Sequence, residues 1–282
     1  MDKKNILIIT PVQHLRSFYS KIFKNFKFLE LINPTYEDVK FHIRSFNILF
    51  CAPNFQKFII DEELIKNTNI EYIVSPSTGL NHIDVDSVPI ISIKNDKILS
   101  SITSTAEHTL HLILSIVRHS RPYIELQDKT LGIIGNGRLG KMVKKLCKPL
   151  FKEIIVVDKD SGDKEKLFSE SDVVSLHVDL NPTSYQMVNK KYIQQFRKSI
   201  YLVNTSRGEI VNEEDINKLL LSDRIRGYAT DVLQTEYVQE KSILESNHKV
   251  LITPHIAGTT IDAQEKAYNR VLEKLCENMN HK

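Results

Sequence analysis

At 282 residues, 41% hydrophobic and 26% charged, the chain has the length for two domains of ordinary size and the composition of a globular protein. A formal charge of +3, with Lys and Arg scattered among acids, gives no basic stripe and excludes nucleic acid as an expected partner. Cys51, Cys147 and Cys276 stand far apart without a C-x-x-C, so neither a disulfide framework nor a metal site is expected, and Cys51 and Cys147 read as core thiols.

No apolar run approaches the ~18 residues of a membrane span. The start, MDKKNILIIT, has no signal-peptide pattern. A cytoplasmic protein without a membrane partner is therefore expected. Asn5 to Thr10 reads as a first strand, followed by a loop at Pro11 to His14 and a helix to about Phe26. Phe28 to Leu31, Ile48 to Cys51 and Tyr72 to Ser75 are further short apolar strands. Asp61 to Lys66 has the acidic first turn of a helix start. Strands alternating with helices predict a small parallel-sheet α/β unit, whose ligands lie beyond the strand C-terminal ends. That rule makes Pro11–Gln13, Ala52–Gln56 and Ser75–Leu80 candidate pocket loops. The last, SPSTGL, has small residues and Gly79 that suit a backbone N–H cradle for a carboxylate, or an ordinary turn.

Ser104 to Arg118 predicts a long connecting helix, capped by Ser104 or Thr105, with Glu107 completing a capping box to Ser104. His108 and His111 lie on it without a third ligand nearby, so packing or capping is expected rather than metal binding. Thr130 to Asp158 is the most informative stretch. An apolar strand, Leu131 to Ile134, runs into Gly135-Asn136-Gly137-Arg138-Leu139-Gly140, a helical pattern follows, and a second strand, Ile154 to Val157, ends at Asp158. A lone G-x-G-x-x-G is weak, but strand, turn, helix, strand and terminal acid together are the context it requires. Gly135 makes the tight turn, Gly137 lets a pyrophosphate approach the helix N-terminus, and Gly140 lets helix and strand pack closely. Asp158 stands where a ribose 2′-OH would be bound and would repel a 2′-phosphate, which favours NAD over NADP; Lys159 softens that preference.

Beyond Asp158 the sequence predicts a helix at Glu165 to Glu170, a strand at Val173 to His177 and a helix at Tyr192 to Phe196. Strands at Ile200 to Asn204, Gly227 to Asp231 and Val250 to Thr253 follow, with a helix at Glu213 to Ser222. Six strands fit a doubly wound sheet. From Thr259 the chain turns helical and is expected to pack back across the domain boundary. Polar residues gather at the strand ends: His177, Thr205-Ser206-Arg207, Asp231 and His255. A redox enzyme working on an alcohol or ketone needs a proton carrier, which histidine supplies, and a cation with a rigid fork for an acidic substrate, which arginine supplies. Glu236 could orient the imidazole of His255. Taken singly, Arg207 could be a surface ion pair, Glu236 a solvated acid and His255 a turn residue after Pro254.

In this order GNGRLG, VVD, SLHVDL, VNTSRGEIVNEEDI, GYATDVLQTE and TPHIAGTT resemble the D-isomer-specific 2-hydroxyacid dehydrogenase family, with phosphoglycerate dehydrogenase among its members. SPSTGLNHID and STAEHTLHLIL are similar to that family's substrate loop and hinge helix. The resemblance implies a Rossmann dinucleotide-binding domain (99–259) inserted in a smaller flavodoxin-like α/β substrate domain (1–98 plus 260–282). It also implies domain closure at hinges near Ile98–Ser104 and Thr253–Thr259, and a homodimer. Arg207, Glu236 and His255 would be catalytic, His255 as the acid/base and Glu236 as its partner. NAD would be held by Thr78, Gly135, Gly137, Arg138, Leu139, Gly140, Asp158, Val178, Thr205, Ser206, Asp231, Ala257 and Gly258. A 2-hydroxy or 2-oxo acid would meet Ser77, Thr78, Gly79, Arg207 and His255.

The chain departs from the family pattern in placing Tyr237 where Pro usually follows the Glu, and in a short segment 120–129 without the usual Trp. It ends soon after the last family-like segment, so serine-type feedback regulation is not expected. Arg16 and Lys57, near the candidate loops, favour a phosphorylated acid such as 3-phosphoglycerate, or else are ordinary surface charges. The alternatives are a glyoxylate/hydroxypyruvate-type reductase and a catalytically idle NAD-binding regulator.

Overall fold

Two parallel sheets organise the chain in a computed structural model that describes residues 3–53, 58–236 and 241–280. The described residues divide into two compact units, one of 3–102 and 259–280, the other of 103–236 and 241–258. The second is thus an insertion within the first. The whole is α/β, a Rossmann unit inserted in a smaller flavodoxin-like one.

In the first unit the strand order is Lys27–Glu30, Asn5–Ile8, Ile48–Phe50, Tyr72–Ser75, Ile90–Ser92, every pairing parallel. Both faces of such a sheet are covered, which is why its strands read as unbroken apolar runs. On one face Phe18, Phe50 and Tyr268 meet with ring centroids 5.2 to 5.4 Å apart. Tyr268 comes from the helix Ile261–Asn280, which also buries Ala267, Val271, Leu272 and Leu275 in this core. On the other face Leu7, Ile9, Leu49 and Ile73 pack with Val39 of the helix Tyr36–His42. That helix starts at a reciprocal cap between Thr35 and Asp38. Seven residues are too few to show a clear helical period, and the strands Ile60–Asp61, Ile83–Asp84 and Ile90–Ser92, of two or three residues, have none, so the sequence does not mark these elements.

The second unit has the order Val250–Ile252, Ile225–Thr230, Ile200–Asn204, Val173–Leu176, Thr130–Ile134, Glu153–Val157, again all parallel. The chain runs from Thr130–Ile134 outward to the edge at Glu153–Val157, then returns to the other side at Val173–Leu176. The order reverses there, and in such sheets the crevice beside the reversal binds the ligand.

The helix Ser104–His119 lies on this sheet through Leu112, Ile113 and Ile116, all fully buried. Each such side chain contributes roughly 1.5–3 kcal/mol of burial. Its start departs from the expected capping box. Thr103 is the N-cap, its hydroxyl goes to Glu107 Oε1 rather than to a backbone amide, and Ser104 is buried inside the first turn. The helix expected at Tyr192–Phe196 forms at Lys190–Ile193, because the side chain of Asn189 caps Tyr192 N and sets the start earlier.

Candidate active site

The glycine loop follows the strand Thr130–Ile134. Gly135 sits at φ +104°, and a Cβ there would lie 2.2 Å from the His177 carbonyl oxygen. A Cβ on Gly140 would lie 2.0 Å from the Gly135 carbonyl oxygen, so helix and loop are in direct contact. Gly137 is different. A Cβ there would meet nothing within 4 Å, and no side chain caps the helix Arg138–Cys147 that begins just after it. An open position at the start of a helix, where the positive end of the helix dipole lies, suits an anion. Asp158 closes the next strand and accepts from Asn136 N at 2.9 Å and Lys159 N at 2.8 Å. The bond from Asn136, and then that from Lys159, hold its carboxyl below the ordinary carboxylate range.

The second cluster grows from the loops after Ile225–Thr230 and Val250–Ile252. His255 Nδ1 lies 2.8 Å from Glu236 Oε2, while Glu236 Oε1 accepts from Leu233 N at 2.9 Å. The carboxylate can only accept, so Nδ1 carries the hydrogen. His255 itself is at φ +55°, a conformation costly for any side chain but glycine. Asp231, 1% exposed, holds the loop in that shape. Its Oδ1 accepts from Thr253 Oγ1 at 2.6 Å and from Ile256 N at 2.9 Å, and its Oδ2 from Ala257 N at 2.9 Å. Burial pushes the Asp231 carboxyl up, but the bonds from His108, Thr253, Ala257 and Ile256 together bring it below its ordinary value.

Residues 107–257 match a family model described as the NAD binding domain of D-isomer specific 2-hydroxyacid dehydrogenases. This is more than half of the chain. The chain belongs to the D-isomer specific 2-hydroxyacid dehydrogenase family. It is an NAD-dependent oxidoreductase acting on the CH–OH group of donors.

Among curated relatives it is 29% identical to glyoxylate reductase of Thermofilum pendens, over 83% of this chain and 78% of that one. It is 26% identical to D-3-phosphoglycerate dehydrogenase of Bacillus subtilis, over 89% of this chain and 53% of that one. Among solved structures its fold matches NAD-dependent formate dehydrogenase of Staphylococcus aureus in complex with NAD, with a TM-score of 0.81 at 23% identity, covering 98% of this chain and 96% of that one.

For a dehydrogenase of this family the glycine loop fits NAD by its own geometry. Gly135 and Gly140 are packed against backbone, and Gly137 alone leaves room for a phosphate. The other candidate residues lie as follows. Thr205 Oγ1 pairs with Thr109 Oγ1 at 2.8 Å and Ser206 Oγ donates to Leu176 O at 2.7 Å, so both hydroxyls brace the sheet's C-terminal edge. Arg207 follows directly, its Nη1 donating to Ser206 O at 2.6 Å. Val178 is half-buried beside the glycine loop's contact at His177, Ala257 is buried, and Gly258, like Gly137, has nothing within 4 Å of a Cβ position.

Ser77, Thr78 and Gly79 belong to the first unit. There Ser77 Oγ donates to Gly79 O and pairs with Ser75 Oγ, each at 2.8 Å, and Ser75 Oγ meets the buried His82 Nε2 at 3.1 Å. Gln56, Lys57 and Tyr237 lie outside the described residues. No cluster of three metal-ligating side chains occurs among the described residues, and no helix among them is long and apolar enough to cross a membrane.

Sequence reasoning missed two supports. Glu213 is buried and accepts from Gln234 N at 2.7 Å and from the Ser242 hydroxyl, clamping the loop that leads to Glu236. His108, expected to pack or cap, instead reaches Thr253 Oγ1 at 3.0 Å. These contacts span 21 and 145 residues of sequence, so no local pattern could signal them.

Proposed function

We propose that the enzyme reduces a short 2-oxo acid to the D-2-hydroxy acid, with His255 as the acid, Glu236 as its orienting partner and Arg207 as the substrate's anchor. The observation that carries the reading is the 2.8 Å contact of His255 Nδ1 with Glu236 on a loop held at φ +55°. Such strain persists only where surrounding contacts over-determine it, and here they aim an imidazole. When bound, NADH supplies the hydride. Gly137 and the first turn of its helix would hold the pyrophosphate, and Asp158 would accept from the ribose hydroxyls. Arg138, Leu139, Val178, Thr205, Ser206, Asp231, Ala257 and Gly258 would line the rest of the cofactor path. Arg207 grips the carboxylate by two parallel N–H bonds and polarises the oxo group. His255 passes the Nε2 proton to the oxo oxygen as it becomes a hydroxyl.

The substrate is a small acid of the glyoxylate or hydroxypyruvate kind; the Thermofilum pendens relative is named for glyoxylate. A phosphorylated acid such as 3-phosphoglycerate is the second reading. It is favoured by the exposed Arg16, which opens a helix after the first strand's loop. NADH oxidation followed at 340 nm against glyoxylate, hydroxypyruvate, 3-phosphohydroxypyruvate, pyruvate and 2-oxoglutarate tests both. Turnover of the unphosphorylated acids that disappears in His255→Ala is the expected result. Preference for 3-phosphohydroxypyruvate that falls in Arg16→Ala would establish the second reading instead. The protein acts as a homodimer, which sedimentation equilibrium checks, and NADPH should replace NADH poorly because Asp158 repels a 2′-phosphate.

A further inference from the structure

Behind the loop that carries His255 lies a chain of side-chain hydrogen bonds that the proposed chemistry does not itself require. His108 Nε2 stands 3.0 Å from Thr253 Oγ1, and the Thr253 hydroxyl is 2.6 Å from Asp231 Oδ1. A carboxylate only accepts, so Thr253 donates to Asp231 and must accept from His108, which places a hydrogen on His108 Nε2. The same Asp231 then holds the amides of Ile256 and Ala257, the two residues immediately after His255. The 145-residue span from His108 to Thr253 joins the helix Ser104–His119 to the far end of the sheet.

We propose that His108, acting through Thr253 and Asp231, is a positioning residue that sets the direction of the His255 imidazole. This rests on the reading of His255 as the acid. The His255 backbone at φ +55° does not hold itself, since relaxation to an ordinary conformation would relieve it. It is held on one side by Glu236 and on the other by the amides on Asp231. Asp231 is 1% exposed and surrounded by donors, so a missing donor leaves a buried acceptor underused and lets the carboxylate rotate. His108 is the outermost of these donors, 15% exposed, and also lies 3.5 Å from Asp231 Oδ1.

Its helix does not depend on that bond for its place. Leu112, Ile113 and Ile116 fasten it to the sheet independently, packed with Leu131, Val203 and Ala229. Loss of the His108 bond should therefore slacken the loop while the unit stays folded.

The test uses the full chain with His108→Leu, His108→Gln, Thr253→Val, Thr253→Ser and the double variant His108→Leu/Thr253→Val, beside His255→Ala. The His108→Leu and Thr253→Val enzymes should each lose about tenfold in kcat, the effect of one buried hydrogen bond. Both should stay folded, with melting temperatures only a few degrees below the parent's, and the loss should fall on kcat rather than on the KM for the oxo acid. Gln keeps an N–H near the place of Nε2, and Ser keeps the hydroxyl, so His108→Gln and Thr253→Ser should regain most of the loss. The double variant should be no slower than either single one, because the two residues serve one chain of bonds. Full kcat in His108→Leu, or Gln and Ser variants as slow as Leu and Val, would overturn the relay while leaving the acid assignment standing. Turnover surviving in His255→Ala would overturn the assignment of the acid, and the relay with it.

Discussion

The two sheets share a strand order through their first five positions, second-first-third-fourth-fifth, yet their first loops are built in opposite ways. In the inserted unit the loop after the first strand leaves Gly137 facing open space. In the other unit the equivalent loop is filled. Val12 and Leu15 are fully buried in it, and Val12 N donates to Glu30 Oε1 at 2.9 Å. Topology provides the same slot at the end of both sheets. What occupies the slot is decided by one or two side chains, a glycine that leaves it open or a valine that closes it with the protein's own core.

The proposed proton chemistry lies in the inserted unit, and the test with the largest effect is His255→Ala. Losing the general acid should cost about 10²–10⁴ in kcat while NADH affinity, read by fluorescence, remains. An active variant would break the assignment. Next comes Arg207→Lys, which replaces a bidentate fork by a point charge. Its kcat/KM for the oxo acid should fall about 10²-fold, with the KM for NADH unchanged. A rise confined to the KM for NADH would move Arg207 from the substrate to the cofactor.

Acid stability gives a third test, at a histidine against the glycine loop. Burial holds the His177 imidazole, beside Gly135, down to about 4, and its Nδ1 is enclosed with no hydrogen-bond partner among the described residues. The unfolded chain takes up a proton near pH 6.5 and the folded one only near pH 4. The folded state is therefore fully favoured above 6.5 and loses stability as the pH falls between those values, by on the order of 2–3 kcal/mol. The fall in melting temperature across that window should shrink in His177→Gln; an equal fall in both would mean that this ring carries a proton in the folded state.

The smallest effects sharpen the comparison most directly. Gly137→Ala should leave the melting temperature unchanged and raise the KM for NADH, since the added methyl meets only the ligand. Val12→Ala should do the reverse, losing about 2 kcal/mol of stability with the KM for NADH unaltered. If Gly137→Ala melts early and binds NADH normally, the loop is only a turn.

The legible parts of the molecule were those whose physics is local. Leu131 to Ile134 and Ile200 to Asn204 are buried on both faces, and continuous apolar runs are the direct consequence. The glycine loop could be read because Gly135 and Gly140 have backbone close by, a demand that leaves its mark in residue choice. The pairing of Glu236 with His255 was legible through the family resemblance, since the chemistry of either residue alone allowed a bland reading, and the left-handed backbone of His255 has no sequence signature. Contacts between distant segments stayed invisible. Nothing near His108 in sequence announces Thr253, and nothing near Glu213 announces Ser242. At the start of the connecting helix Ser104 and Glu107 fit the capping spacing, but the side chain of Ser104 was claimed by the interior and Thr103 took its place.

The helix Ile261–Asn280 gives the order of events during synthesis a particular shape. Phe18 and Phe50 leave the ribosome early, yet the ring that completes their cluster, Tyr268, comes from the end of the chain. Residues 103–258 emerge in between and hold nearly all the parts of their own core in one uninterrupted stretch. The inserted unit can thus finish folding while the aromatic residues of the first unit still lack their last partner. In a nascent chain stalled near residue 260, the expected species is a folded inserted unit tethered to a sticky, half-built neighbour. Pulsed protease digestion of such stalled chains should spare 103–258 and cut the first hundred residues.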